Sequence, residues 1–303
     1  MLRLVWVSLS RRLCPIAVFF VFGLLALSLS RLGLSLWHAP RVSAADGWSS
    51  VFLQGLRVDV ATLCLLYGIP AVLALLLPLH GRVGHAWRQL LRAWLIVASL
   101  LLVFMELATP SFMAEYGLRP NRLFLEYLAY PEEVGMTLLR GHPLAVVIET
   151  VAVVVLCWAL LRGSRRWAGA APAPRAEAGW LWRLPLAVAV LLLAAMGVRS
   201  TLGHRPLSPA LAAFSIDPTV NALPLNSLYT VGYAARQLAD RSETSRVYGD
   251  LPLEGVAAEL RASSGLPASA YVSDALPTLA VRPPAYQGAP RNLVIVLEES
   301  LGA

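Results

Sequence analysis

Apolar residues gather into five long blocks, at about residues 13–29, 58–79, 93–109, 144–161 and 184–198, with shorter polar stretches between them. A helix rises about 1.5 Å per residue, so roughly 17–25 residues cross about 30 Å of hydrocarbon, and each block comes close to that length. The pattern predicts an α-helical multi-pass membrane domain of about five transmembrane helices. Arginines sit between the blocks: Arg3, Arg11 and Arg12 precede the first, Arg82, Arg88 and Arg92 lie between the second and third, and Arg162, Arg165, Arg166, Arg175 and Arg183 between the fourth and fifth. Basic loops stay on the cytoplasmic side, so the N-terminus is expected to be cytoplasmic and everything after about residue 199 to be periplasmic or extracellular. The first block follows a charged stretch as a secretory signal would, but it is long for one and no A-x-A site follows closely. An uncleaved signal anchor is the expectation.

The loops carry weaker patterns. Residues 121–130 place Leu123, Phe124, Tyr127 and Leu128 on one helical face, which suits a helix lying on the membrane surface. Pro131 then starts a second short helix with Glu132 and Glu133 in its first turn, where carboxylates favour the helix dipole. Residues 168–179, rich in Ala, Pro and Gly, read as a flexible loop. After the last block a Pro-rich linker gives way to two short helices, at about 228–239 and 253–263. A breaker-rich stretch over 282–290 precedes a β-branched apolar run over 292–297, the pattern of a strand buried on both faces. Such strands belong to largely parallel α/β sheets, which bind ligands beyond the carboxyl ends of their strands. Glu298, Glu299 and Ser300 occupy that end, and one of the two carboxylates facing a site is a reasonable ligand for a hard divalent cation. The chain thus divides into a transmembrane domain over 1–200 with interfacial helices near 120–142, a linker over 201–289, and the start of an α/β domain over 290–303.

Composition agrees with this layout and removes some functions. Of the 303 residues 57% are hydrophobic and only 14% charged, too apolar for an ordinary soluble domain. The net charge of +7 resides in arginines that flank apolar blocks, so it reads as a topology signal and not as a nucleic-acid footprint. There is no lysine, which excludes a phosphate-binding loop of the G-x-x-x-x-G-K-[ST] type and the nucleotide chemistry it supports. Cys14, Cys64 and Cys157 fall within apolar blocks and indicate neither disulfides nor zinc. The five histidines, at 38, 80, 85, 142 and 204, show no H-x-x-x-H spacing.

Three charges lie at similar depth: Arg57 and Asp59 at the start of the second block and Glu106 near the end of the third. Ionisable groups inside a membrane usually pair and often mark function. One reading is an Arg57–Glu106 or Arg57–Asp59 pair that fixes helix packing. The other makes Arg57, with Arg119 or Arg122, a contact for the phosphate of a lipid.

The run over 292–300 follows Gly55-Leu-Arg-Val-Asp59, Arg119-Pro-Asn121, the stretch from Glu126 to Val134, and Leu223-Pro-Leu-Asn226 in order along the chain. In this arrangement the sequence resembles the lipoteichoic acid synthase and phosphoglycerol transferase group. The resemblance implies a bacterial cytoplasmic (inner) membrane protein whose outer domain has the α/β sulfatase or alkaline-phosphatase-like fold. It implies a divalent metal, manganese or magnesium, bound by Glu299, and a phospholipid as headgroup donor, for whose phosphate the charge pattern above offers Arg57 and Arg119 as candidate contacts. A threonine further along the family's sequence attacks the headgroup phosphate, diacylglycerol leaves, and the phosphoglycerol group passes to a glucan or teichoic-type acceptor. Only the first strand of that domain falls before Ala303, so the 303-residue chain is expected to be inactive at this length. A phosphoethanolamine transferase, a sulfatase-type hydrolase of the same outer fold, and a non-enzymatic membrane anchor are the alternatives.

Overall fold

The computed structural model describes residues 2–141, 143–168, 179–201, 207–244, 252–273, 276, 278–282 and 288. The run over 292–297 and Glu299 lie outside the described residues, as does most of the 168–179 loop. Two compact units result, residues 1–240 and 241–303.

The first unit is built from helices. Five of its segments are long and apolar enough to cross a membrane: Leu9–Trp37, Trp48–Leu76, Gly81–Tyr116, Pro143–Arg165 and Trp180–Arg199. In chain order the helices are α1 (Leu2–Trp37), α2 (Ala39–Ala44), α3 (Trp48–Leu76), α4 (Gly81–Leu107), α5 (Thr109–Tyr116), α6 (Arg122–Tyr127), α7 (Pro131–Gly141), α8 (Pro143–Ala168), α9 (Trp180–Arg199), α10 (Pro218–Ala222) and α11 (Ser227–Thr244). The long helices outrun the apolar blocks because their polar end turns are still helical; α1, α3, α4 and α8, of 26 to 36 residues, extend beyond the stretch that hydrocarbon would cover, while α9, of 20 residues, matches it. Pro15, Pro70 and Pro185 sit inside α1, α3 and α9. Neighbouring helices let long apolar helices keep such prolines.

α3 is the central helix and packs most closely with α9 and α1. The main core joins Ile16, Phe19 and Leu27 of α1, Leu63, Tyr67 and Ala71 of α3, and Trp87, Leu91 and Leu102 of α4. On its other side α3 meets α9 along a seam of small residues. A Cβ on Gly68 would lie 2.7 Å from Ala194 Cβ, and one on Gly197 would collide with the Cys64 sulfur. Between apolar helices, close approach of small residues replaces the hydrophobic drive available in water.

The chain passes repeatedly between two ends of this bundle. At the end where α3 stops, two arginines close its last turn. Arg12 Nη1 donates to the carbonyls of Ala74 (3.0 Å) and Leu77 (2.8 Å), and Arg183 donates to those of Leu75 (2.6 Å), Leu76 (2.7 Å) and Leu77 (3.0 Å). A helix leaves its last four carbonyls without intrahelical donors, and its C-terminus attracts cations. Arg92 similarly ties α4 to α8 through Ser164 Oγ at 2.8 Å.

The opposite end, called here the tail end, collects the last turns of α1, α4 and α9 and the first turns of α3. Residues 207–240 belong to the same compact unit as the bundle. Leu223 is fully buried with Leu34, Val42, Val51 and Met113, and Leu225 packs with Val58, Ala61, Leu207 and Ala212. α6 and α7 form where the sequence pattern places them, with Glu132 and Glu133 in the first turn of α7.

The second unit contains α12 (Leu253–Ser263), a 3₁₀ turn at Ala268–Ala270 and an isolated antiparallel bridge between Tyr271 and Ala280. The Arg261 guanidinium lies 4.9 Å over the Tyr271 ring.

The α3–α9 seam makes a direct prediction. Gly68→Leu should destabilise the detergent-solubilised protein by about 1–3 kcal/mol through overpacking against Ala194. Gly33→Ala, where an added Cβ meets nothing within 4 Å, should leave the melting temperature unchanged or slightly raised. Thermal unfolding followed by tryptophan fluorescence reads both; equal behaviour of the two variants would contradict the packing.

Candidate functional site

The tail end of the bundle holds a buried polar site, and its first component comes from α1. Arg31 is 1% exposed and its Nη2 reaches Asp59 Oδ1 of α3 at 2.7 Å, with Asp59 itself fully buried. Gly55 makes the approach possible: it lies one turn from Asp59 on the same face of α3, and any Cβ there would collide with the Arg31 guanidinium.

The second component lies between α4 and the turn after α5. Gly117, at φ +67°, ends α5 in the left-handed conformation that glycine adopts most readily, and the chain doubles back so that Arg119 returns to α4. Arg119 Nη1 sits 3.0 and 2.9 Å from the two oxygens of Glu106, and both residues are buried. Ser30 of α1 donates its hydroxyl to Glu106 Oε2, so this pair also touches the first helix.

Residues 218–230 then enter between the two pairs. Arg31 Nη2 donates to the carbonyl of Pro224 (3.3 Å), and Arg119 donates to those of Ala222 (3.1 Å) and Leu223 (3.4 Å). Asn226 Nδ2 donates to Asp59 Oδ1 at 3.1 Å and to Thr62 Oγ1 at 3.0 Å, while its Oδ1 accepts from the Tyr229 amide at 2.9 Å. Asn226 is therefore both the N-cap of α11 and a ligand of the Asp59 carboxylate. The amide of Ser227 donates to Glu106 Oε1 at 2.9 Å, and its hydroxyl lies 2.5 Å from that of Thr109. Thr230 Oγ1 closes the turn on the Pro120 carbonyl at 2.6 Å. The start of α11 thus faces two carboxylates, the arrangement that a helix N-terminus favours.

At the rim, Arg41 of α2 binds Asp217 in a fork, with Nε to Oδ2 at 2.7 Å and Nη2 to Oδ1 at 3.0 Å. Asp217 also caps α10 through the amides of Thr219 and Val220. Slight burial pushes its carboxyl upward, but the Arg41 hydrogen bond and the two amides outweigh this and hold it below the usual carboxylate range. Tyr229 OH donates to the Leu207 carbonyl at 3.0 Å; burial first, and then Tyr233 beside it, push the phenol up to about 12, which keeps it a donor.

The partners of the three charges singled out from the sequence differ from both pairings considered there. Arg57 binds neither Asp59 nor Glu106. Successive helical residues turn about 100°, so positions 57 and 59 lie about 200° apart around α3. Asp59 faces α1 while Arg57 faces α9, donating to Gln54 Oε1 (2.6 Å) and to the Ser200 carbonyl (3.1 Å). It lines a groove of about 490 Å³ with Leu56, Val60, Met196 and Gly197. Arg119 is buried on Glu106, and Arg122 pairs with Glu126 at 2.6 Å on the surface. Arg31, absent from the sequence-derived candidates, is a central cation of the site. Its signal was a lone arginine just beyond the first apolar block, with a glycine and an aspartate one turn apart on a facing helix.

Among the described residues no three His, Cys, Asp or Glu side chains converge to hold a metal ion. Asp59 and Glu106 are each matched by a guanidinium, and Glu299 lies outside the described residues. No protein-family model matches the chain, and no solved structure matches it.

Chemically, the site is a lock. A buried pair is costly to break from one side, because the remaining charge stays buried without a counter-ion. Asp59→Leu should therefore lower stability by about 3–5 kcal/mol, and Arg31→Met combined with Asp59→Leu should recover most of that loss. Thermal unfolding of the two single variants and the double variant measures the coupling; additive losses would contradict a buried pair.

Proposed function

We propose that this chain is the membrane portion of a phosphoglycerol-type transferase of a bacterial cytoplasmic membrane, with its N-terminus cytoplasmic and its tail on the outer side. The observation that carries the reading is the return of residues 218–230 into the bundle, where two buried ion pairs grip the start of α11. A transferase that takes a headgroup from a phospholipid must work at a fixed height above the bilayer. A tail that hung from the last span by a loose linker would sample many heights; one locked at residues 218–230 leaves from a defined point. The ordered series of matching segments from residue 55 to residue 300 supplies the reaction class by resemblance.

In this reading the donor is a phospholipid, the acceptor a glucan or teichoic-type polymer, and neither nucleotide nor nucleic acid takes part. Manganese or magnesium, held with Glu299 among its ligands, would neutralise phosphate oxygens and help to activate a hydroxyl. The membrane portion contributes position: the arginine–carboxylate pairs hold the tail, and Arg57 lies free of those pairs at the edge of the α3–α9 groove.

The test is release of diacylglycerol. Protein expressed from its native gene, in nanodiscs with fluorescent phosphatidylglycerol and manganese, should release fluorescent diacylglycerol, and Glu299→Ala should abolish the release. Release from phosphatidylethanolamine instead would favour the phosphoethanolamine transferase reading. No release from either lipid would leave a membrane anchor.

A further inference from the structure

The groove between α3 and α9 is separate from the lock, and its make-up is that of a lipid seat. Its body is apolar, formed by Leu56, Val60, Met196 and Gly197, while Arg57, Ser200 and Thr201 make its rim polar. Gly197 lets α9 close against α3 beneath the groove, since a Cβ there would collide with the Cys64 sulfur. The volume of about 490 Å³ lies within the roughly 300–1,000 Å³ of small-ligand clefts.

The depth of the rim follows from α9. Its 20 residues span about 30 Å, one hydrocarbon thickness, and it ends at Ser200, whose φ of +53° stops the helix. Arg57 donates to the carbonyl of that same Ser200, so its guanidinium stands where the hydrocarbon gives way to headgroups. Val60 lies about one turn deeper along α3, on the acyl side.

Arg57 also has donors to spare. A guanidinium carries five N–H groups, and two hydrogen bonds engage Arg57, one to Gln54 and one to Ser200. None of the groove-lining residues is acidic, so no carboxylate there meets a headgroup ammonium. Charge complementarity therefore favours a net-anionic headgroup over a zwitterionic one.

We propose that the α3–α9 groove binds one anionic glycerophospholipid, with its phosphate on Arg57 and an acyl chain along Val60 and Gly197. The seated lipid's standing as the headgroup donor rests on the transferase reading; its binding does not. The lipid enters from the bilayer, because the groove opens beside exposed apolar residues, Leu56 at 45% and Met196 at 49% exposure.

Native mass spectrometry of the full chain, released from mixed micelles of acyl-matched phosphatidylglycerol and phosphatidylcholine, tests this without turnover. The wild-type protein should retain phosphatidylglycerol preferentially, Arg57→Gln should reduce that preference by about tenfold, and Arg57→Lys should keep most of it. Val60→Phe, which fills the groove and leaves the charge in place, should lower retention of both lipids. Millimolar glycerol phosphate should displace nothing. An unchanged preference in Arg57→Gln would overturn the assignment, and so would displacement by glycerol phosphate, which would make the ligand a soluble phosphate. Retained phosphatidylglycerol in a protein that releases no diacylglycerol would sustain the groove and remove the reaction.

Discussion

The structure at the tail end depends on one constraint: a carboxylate placed among apolar helices must find a cation and hydrogen-bond donors, or it cannot stay charged. Glu106 meets that constraint through both of its oxygens with Arg119, and Asp59 meets it through Oδ1 alone with Arg31, its Oδ2 having no hydrogen-bond partner among the described residues; both carboxylates also take a donor from the segment that follows the last span. Asn226 supplies a donor to Asp59 and Ser227 supplies its backbone amide to Glu106. The guanidinium groups then use their other donors on the carbonyls of Ala222, Leu223 and Pro224. Proline at 224 suits this position, since it presents an acceptor and carries no N–H that would need a partner.

The two ends of the bundle therefore use arginine in different ways. At one end Arg12 and Arg183 converge on the last turn of α3 and satisfy its open carbonyls. At the other, arginines match carboxylates and draw a distant segment into place. α3 takes part in both, which makes it the member through which α1, α9 and residues 218–230 are joined. The groove beside Arg57 lies on the face of α3 turned away from Asp59, so the lock and the proposed lipid seat share a helix without sharing a side chain.

The spans were legible because length and hydropathy act locally: a block of about the right length, bounded by arginines, is a helix of known rise in a solvent of known thickness. Short helices were legible for similar reasons, as at Pro131 with its two glutamates and at Leu253–Ser263. The site was only half legible. Asp59 and Glu106 stood out as charges in apolar surroundings, but their partners are set by helix phase and by contacts across the chain. Arg57 is close to Asp59 in sequence and faces the other way, whereas Arg31 is 28 positions distant and binds it. The re-entry of Leu223-Pro-Leu-Asn226 was less visible still. A proline-containing stretch after the last span has the composition of a linker, and only the buried carboxylates that it completes reveal it as part of the bundle.

Amide hydrogen exchange of the protein in nanodiscs tests the lock most directly. Peptides covering residues 219–230 should exchange as slowly as those from the buried part of α3, because Glu106 holds the Ser227 amide, Asp59 holds the Asn226 side chain that caps the Tyr229 amide, and Arg31 and Arg119 hold the carbonyls of Ala222, Leu223 and Pro224 so that the turn cannot open. Rapid exchange across 219–230, with α3 still protected, would contradict the account.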